Sequence, residues 1–128
     1  MATQQTMRTI VLDAGGDLSS DQFKLVKLNT AQQVVLVAAV TDHPIGVLQN
    51  KPDATGKRAL IAVLDGAILK MKAGAAITAG AIVGMHATDG TIDDTITAAA
   101  PTVGVAVEAA AGANEIIEVA SHYGRQPA

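Results

Sequence analysis

Three histidines, His43, His86 and His122, are the side chains best suited to metal ligation or proton transfer in a chain without cysteine. None has a second histidine or a carboxylate four residues further on, the spacing that sets two ligands on one helix face. Asp42-His43, and His86 with Asp89, are neighbours at loop edges, where polar residues belong, so no metal site is expected. Asp13, Asp17 and Asp21 are evenly spaced around Gly15-Gly16. A calcium loop needs oxygen ligands at alternating positions and a glutamate at the twelfth. This segment has neither and reads as a polar turn. The stretch Gly74-Ala75-Ala76-Ile77-Thr78-Ala79-Gly80 lacks the Lys-Ser/Thr pair of a phosphate loop. It reads instead as two tight turns around an apolar plug at Ile77. Ser121 and His122 are adjacent, and on a strand they would point to opposite faces. No nucleophile, base and orienting group come together. The expectation is a protein that is not an enzyme and uses no cofactor.

The elements that carry these residues are strands. The length of 128 residues fits one domain. Apolar residues make up 49% of the chain, mostly Ala and Val, while aromatics reach only 2%, namely Phe23 and Tyr123. An aromatic buries roughly 150–250 Å² and alanine far less. A core of this kind gains modest energy per residue, and an oligomer that buries further surface is expected. Cysteine-free sequence excludes disulfide staples. A net charge of −3 without a basic run argues against nucleic acid as a partner. No signal-peptide pattern opens the chain. The strongest hydrophobic run, Val34 to Val40, is far short of the ~20 residues that span a bilayer. A soluble intracellular product with no membrane partner is the expectation.

Strands are predicted over Phe23–Leu28, Gln33–Val40, Ile45–Leu48, Ala59–Leu64, Ala67–Lys72, Ile82–His86, Thr91–Thr97, Val103–Val107 and Glu115–Ser121. The uninterrupted apolar run from Gln33 suggests a strand buried on both faces. Asp65-Gly66 reads as a tight hairpin turn. Beyond it, Ala67, Leu69 and Met71 share one face and Ile68, Lys70 and Lys72 the other, a half-exposed strand with its lysines outward. Short helices are allowed for near Thr30-Ala31-Gln32 and within Glu108–Ala111, since Ala98–Ala113 is interrupted by Pro101 and Gly104. The fold class is therefore mainly β: a small β-barrel or β-sandwich of short strands with an extended N-terminal arm and at most one or two short helices. The segments are an arm over 1–22, a β-rich domain over 23–121 and a tail over 122–128. Within the arm, Thr9-Ile10-Val11-Leu12 is a sticky stretch that either adds to a neighbour's sheet edge or forms the domain's own first edge strand.

An internal echo accompanies these strands. Ile45-Gly46-Val47-Leu48 is matched by Val103-Gly104-Val105-Ala106, each followed by a loop ending at a glycine (Gly56, Gly112) and then by Ile61 and Ile117. Charge is uneven as well. Seven basic residues stand against three acidic ones between Lys24 and Lys72, and Arg125 alone stands against six acids from Ala73 onward. Such asymmetry either steers copies together or onto a complementary surface, or is a solvated surface with chance clustering.

Taken in order, several segments make the chain resemble the capsid decoration, or head cement, proteins of tailed bacteriophages. They are an acidic, glycine-containing lead-in to Phe23-Lys24-Leu25-Val26-Lys27-Leu28, then Pro44-Ile45-Gly46-Val47-Leu48-Gln49-Asn50-Lys51-Pro52 and an alternating strand. Asp65-Gly66 then leads to Lys70-Met71-Lys72-Ala73-Gly74 and on to Gly80. Val103-Gly104-Val105-Ala106 and the closing Glu115-Ile116-Ile117-Glu118-Val119 complete the set. The resemblance covers most of Gly16 to Val119, and its specificity lies in order and spacing. It implies a small β module on the outer surface of a virion capsid, made in the host cytoplasm. There it would bridge neighbouring major capsid protein subunits and self-associate as a homotrimer at threefold positions. Expected contacts are Thr9, Ile10, Val11 and Leu12 in the arm, Lys70 and Lys72, and Asn50, Lys51, Lys57 and Arg58 in the Asn50–Arg58 loop. Two rival readings are a carbohydrate- or host-surface-binding module, weakened by scarce aromatics, and a β-clip domain of a sugar-processing enzyme, which would need an acid/base pair.

Overall fold

Short runs of β-branched and aliphatic residues punctuated by Gly, Pro and Asp build ten strands and, among the described residues, no helix. The computed structural model describes residues 7–39, 42–86, 89–96 and 100–125. The strands are β1 (Thr9–Asp13), β2 (Leu25–Leu28), β3 (Val34–Leu36), β4 (Gly46–Leu48), β5 (Arg58–Val63), β6 (Asp65–Lys72), β7 (Ile82–Met85), β8 (Ile92–Asp93), β9 (Pro101–Ala106) and β10 (Ile116–Arg125). They form two antiparallel five-stranded sheets that pack together, ordered β1-β5-β4-β2-β3 and β6-β10-β9-β7-β8. The mainly-β barrel or sandwich expected from the sequence is thus the fold found. Residues 1–6, Val40, Thr41, Thr97, the start of the Ala98–Ala113 segment and the last three residues of the 122–128 tail lie outside the described residues.

The two orders are one topology used twice. β1 to β5 are connected as β6 to β10 are, and the registers correspond. Val47 faces Ala62 and Leu48 faces Ile61 in the first half; Val105 faces Ala120 and Ala106 faces Val119 in the second. Loop bonds repeat too. Gly15 N–H donates to Val34 O as Gly74 N–H does to Ile92 O, and Phe23 N–H donates to Leu48 O as Gly80 N–H does to Ala106 O. Parallel bridges, Ala14 with Val34 and Ala73 with Ile92, tie the outer strands of each sheet together. Each half is therefore rolled toward a small closed barrel, the arrangement that removes open sheet edges. Seven buried residues fill the first (Ala14, Leu18, Val26, Val34, Leu48, Ala59 and Ile61). Their counterparts Ala73, Ile77, Val83, Ile92, Ala106, Ile117 and Val119 are buried in the second. The echo read from Gly46 and Gly104 is thus a real duplication, but its pairing needs correction. In backbone register Gly56 matches Asn114, not Gly112, and both have positive φ (87° and 73°), while Ile61 matches Val119 rather than Ile117.

Gly46 and Gly104 hold the same place in the two halves for the same reason. A Cβ on Gly46 would strike Ala62 O across the β4–β5 pair, and one on Gly104 would strike Ala120 O across β9–β10. Only glycine lets these backbones approach so closely.

Three expectations are overturned. Asp65-Gly66 does not close a hairpin: β5 pairs with β1 and β4, while β6 pairs with β10, so Leu64 marks the passage from one sheet to the other. The run from Gln33 is not a strand buried on both faces but a three-residue edge strand. It ends because the Asp42 carboxylate takes the N–H groups of Ala38 and Ala39 (2.7 and 2.9 Å) that a ladder would use. Neither helix candidate is helical. Asn29 Oδ1 accepts from Ala31 and Gln33 N–H and turns the chain with Gln32 at φ 64°, and Ala110 bridges to Ile77 instead of coiling. Other readings hold. Ala67, Leu69 and Met71 point inward and Lys70 outward on β6, and Ile77 is the buried plug between its two glycines. Ser121 is buried with its hydroxyl donating to Ala67 O (2.7 Å), while His122 faces solvent.

Several carboxylates work as loop ties and so link stability to pH. The hydrogen bond from Lys27, together with the Ala38 and Ala39 N–H groups, holds the Asp42 carboxyl below its ordinary range. Asp89 and Asp93 are raised by desolvation but lowered more by their partners, Thr91 for Asp89 and His86 for Asp93. A carboxyl lowered on folding contributes stability that is complete above its unfolded pKa, about 3.9. That stability is lost as pH falls through the folded value. The expected result is a melting temperature that does not depend on these groups between about pH 5 and 7 and drops below about pH 4. Asp42→Asn should flatten part of that drop in a pH series of thermal melts.

Candidate functional site

β6 alternates, so Lys70 and Lys72 leave the core on the same face of the strand. The chain's only phenylalanine lies beside them. Phe23 has φ 68°, a left-handed conformation in which a bulky side chain is a true outlier. Its N–H donates to Leu48 O (2.7 Å) and its carbonyl accepts from Lys72 N–H (2.9 Å), so both neighbouring strands hold it there. The equivalent position in the second half is Gly80, φ 85°, the residue such a backbone ordinarily takes. Strain of this kind costs on the order of 1–3 kcal/mol and persists where surrounding structure fixes it, often at binding sites.

The Phe23 ring is the common wall of three adjoining clefts. One of about 250 Å³ is lined by Phe23, Ser19, Gln22, Lys51, Lys72 and Ile116. A second includes Lys70, Glu108, Ile116 and Glu118; a third includes Met7, Gln49, Ile68 and Lys70. Lys70 Nζ lies 5.9 Å from the centre of the Phe23 ring, within cation–π range. Ile116 and Met7 each leave 45% of their surface exposed beside it.

Electrostatics sets this surface apart. Arg8, Lys24, Lys27, Lys57 and Arg58 each lie within 4.0 Å of a carboxylate, on Asp65, Asp21, Asp42, Asp53 and Asp13 respectively. Among the described residues no such carboxylate meets Lys51, Lys70 or Lys72. Three ammonium groups outside these ion pairs surround an aromatic and an exposed isoleucine, with the Glu108 and Glu118 carboxylates on the Lys70 side, and together form a partly apolar surface with a net positive charge, suited to a protein partner with complementary acids.

The expected contact residues fall into two groups. Lys51, Lys70 and Lys72 meet around Phe23. Thr9, Ile10, Val11 and Leu12 form β1, paired to β5, and Val11, Leu12 and Arg58 line a separate groove with Ala31, Gln32 and Gln33. Arg58 is already paired with Asp13 (3.4 Å) and Lys57 with Asp53 (3.7 Å). Asn50 closes its own loop, donating to Arg58 O and accepting from Leu60 N–H (2.9 and 3.0 Å). Phe23 and Ile116 were not singled out from sequence. The one signal for Phe23 was its match to Gly80, visible only once the halves are aligned.

Among the described residues no three His, Asp or Glu side chains gather as a metal-binding group. A family model described as phage cement protein matches residues 3–121. No curated protein matches the chain.

Proposed function

Because the chain belongs to the phage cement protein family, we propose that it binds the outer surface of a phage head and bridges neighbouring major capsid subunits, stabilising the expanded shell. In this reading it is a structural protein with no catalytic activity, and copies assemble as a homotrimer at threefold positions. The observation that carries the capsid contact is the surface around Phe23, where among the described residues Lys51, Lys70 and Lys72 make no ion pair. A shell lattice offers the same acidic and apolar features many times over. A small module reading them gains occupancy from repetition and needs no deep pocket.

Purified chain mixed with expanded, undecorated heads should co-sediment to a saturating copy number per particle. Saturated heads should withstand heating better than bare ones. Heads that bind no protein, or that bind it without saturation, would overturn the reading.

A further inference from the structure

The two halves of the chain meet through a specific interface, and each half carries an unused copy of one side of it. Where they meet, the segment Phe23-Lys24-Leu25 of the first half lies between β6 and the β7–β8 turn of the second. Lys72 N–H donates to Phe23 O (2.9 Å) and Leu25 N–H donates to Gly90 O (2.7 Å). Leu25, Leu69 and Met85 belong to one buried cluster that runs across this junction.

Applying the duplication to each partner in turn gives the unused sides. In the first half, the counterpart of the acceptor is the groove between β1 and the Ala31–Gln33 turn, a cavity of about 300 Å³ lined by Val11, Asp13, Ala31, Gln32 and Arg58. Gln32, φ 64°, stands where Gly90, φ 78°, stands in the second half, and Asp13 stands where Lys72 does. In the second half, the counterpart of the inserted segment is Gly80-Ala81-Ile82.

Exposure follows the same logic. Leu25 is fully buried, but its counterpart Ile82 is 51% exposed; Leu69 is 2% exposed and its counterpart Ile10 40%; Met85 is 4% exposed and its counterpart Leu28 41%. Three of the largest exposed apolar side chains are therefore the residues that the intrachain junction buries in the other half. Chance does not place them so.

We propose that a second copy of this chain fills the β1 groove with its Gly80–Ile82 segment, repeating between copies the contact that joins the halves within one. Ile82 of one copy covers Ile10 and Leu28 of the next. The contact is heterologous, and a heterologous contact propagates head to tail until it closes a ring. This deepens the self-association in the reading above and does not depend on binding to a head.

Engineered cysteines test it in a chain that has none. A Cβ on Gly90 would lie 3.1 Å from Lys24 Cβ within the chain, so Gln32 and Ala81 of adjacent copies fall within disulfide reach. Purified Gln32→Cys and Ala81→Cys proteins, each oxidised alone, should stay monomeric on denaturing gels. Their mixture should give covalent dimers and nothing larger, and the Gln32→Cys/Ala81→Cys double variant should give larger covalent oligomers. A second variant, Ile82→Asp, should shift the native protein toward monomer in light scattering while its melting temperature stays within a few degrees of the parent. A mixture that yields no covalent dimer, single variants that cross-link alone as well as they do mixed, or an Ile82→Asp protein that keeps its oligomeric state would each overturn the proposal. Because no head is present, these failures are distinct from a failure of capsid binding.

Discussion

Gly46→Val is expected to abolish cooperative folding, and Gly46→Ala to cost more than about 3 kcal/mol. The first added carbon at Gly46 runs into Ala62 O, a backbone atom held by the β4–β5 ladder, and also into Ile61 Cγ2 in the first-half core. Backbone cannot swing aside as a flexible side-chain tip does, so the central pair of the sheet must open. Small domains hold only about 5–15 kcal/mol in total, and a loss of this size removes much of it. Gly104→Ala should be at least as severe, because its Cβ would meet Ala120 O and its φ of 152° disfavours any side chain. Gly16→Ala is the matched control: its Cβ meets nothing within 4 Å, and the change should stay within about 0.5 kcal/mol. Urea denaturation of the three alanine variants decides the matter. A Gly46→Ala protein as stable as Gly16→Ala would mean that β4 and β5 are not held as closely as the structure shows.

Charge reversal around Phe23 should have the largest effect on binding. Lys51→Glu, Lys70→Glu and Lys72→Glu together replace three cations with three anions, turning attraction to an acidic partner into repulsion. Affinity for heads should fall by a hundredfold or more, equivalent to about 3 kcal/mol or above. Stability should fall modestly, by about 1 kcal/mol, because Lys70→Glu sets a carboxylate opposite Glu118 across β6–β10, while Lys51 and Lys72 take part in no ion pair among the described residues. Phe23→Gly separates the ring from the fold. Glycine accepts φ 68° without strain, which offsets part of the apolar burial lost when the half-buried ring is removed. Its melting temperature should stay near that of the parent while head affinity drops at least tenfold. Reversed lysines that bind heads as the parent does would place the capsid contact elsewhere on the chain.

The mainly-β class was legible because the chain offers strand-length apolar runs between turn residues, and the one helical stretch carries Pro101 and Gly104. The alternation in β6 was legible for the same local reason: Leu69 and Met71 are inward because Lys70 cannot be. What local pattern does not contain is pairing. Asp65-Gly66 suits a hairpin and a passage between sheets equally well, and the choice was made by the pairing of β6 with β10, fifty residues away in the chain. The strand from Gln33 was cut short by a carboxylate, Asp42, that lies beyond the apolar run.

The duplication was visible at Gly46 and Gly104, where close approach demands glycine in both halves. It was hidden elsewhere because register is kept while residue types are not: Asn114 replaces Gly56, and Gly80 replaces Phe23. The same concealment covers the candidate site. Lys70 and Lys72 were found as outward lysines, but nothing in a single sequence marks a phenylalanine held at a glycine's backbone angle. Asn50, expected as a surface contact, also ties its own loop, a role that needs the position of Leu60 to be seen.

The most direct measurement is cryo-electron microscopy of heads decorated with the purified chain. Density for the two-barrel module should lie on the outside of the shell, at threefold positions, with Phe23, Lys51, Lys70 and Lys72 facing acidic residues of the major capsid subunits. Density on the inner surface or at the tail, or external density with those residues turned toward solvent, would contradict it.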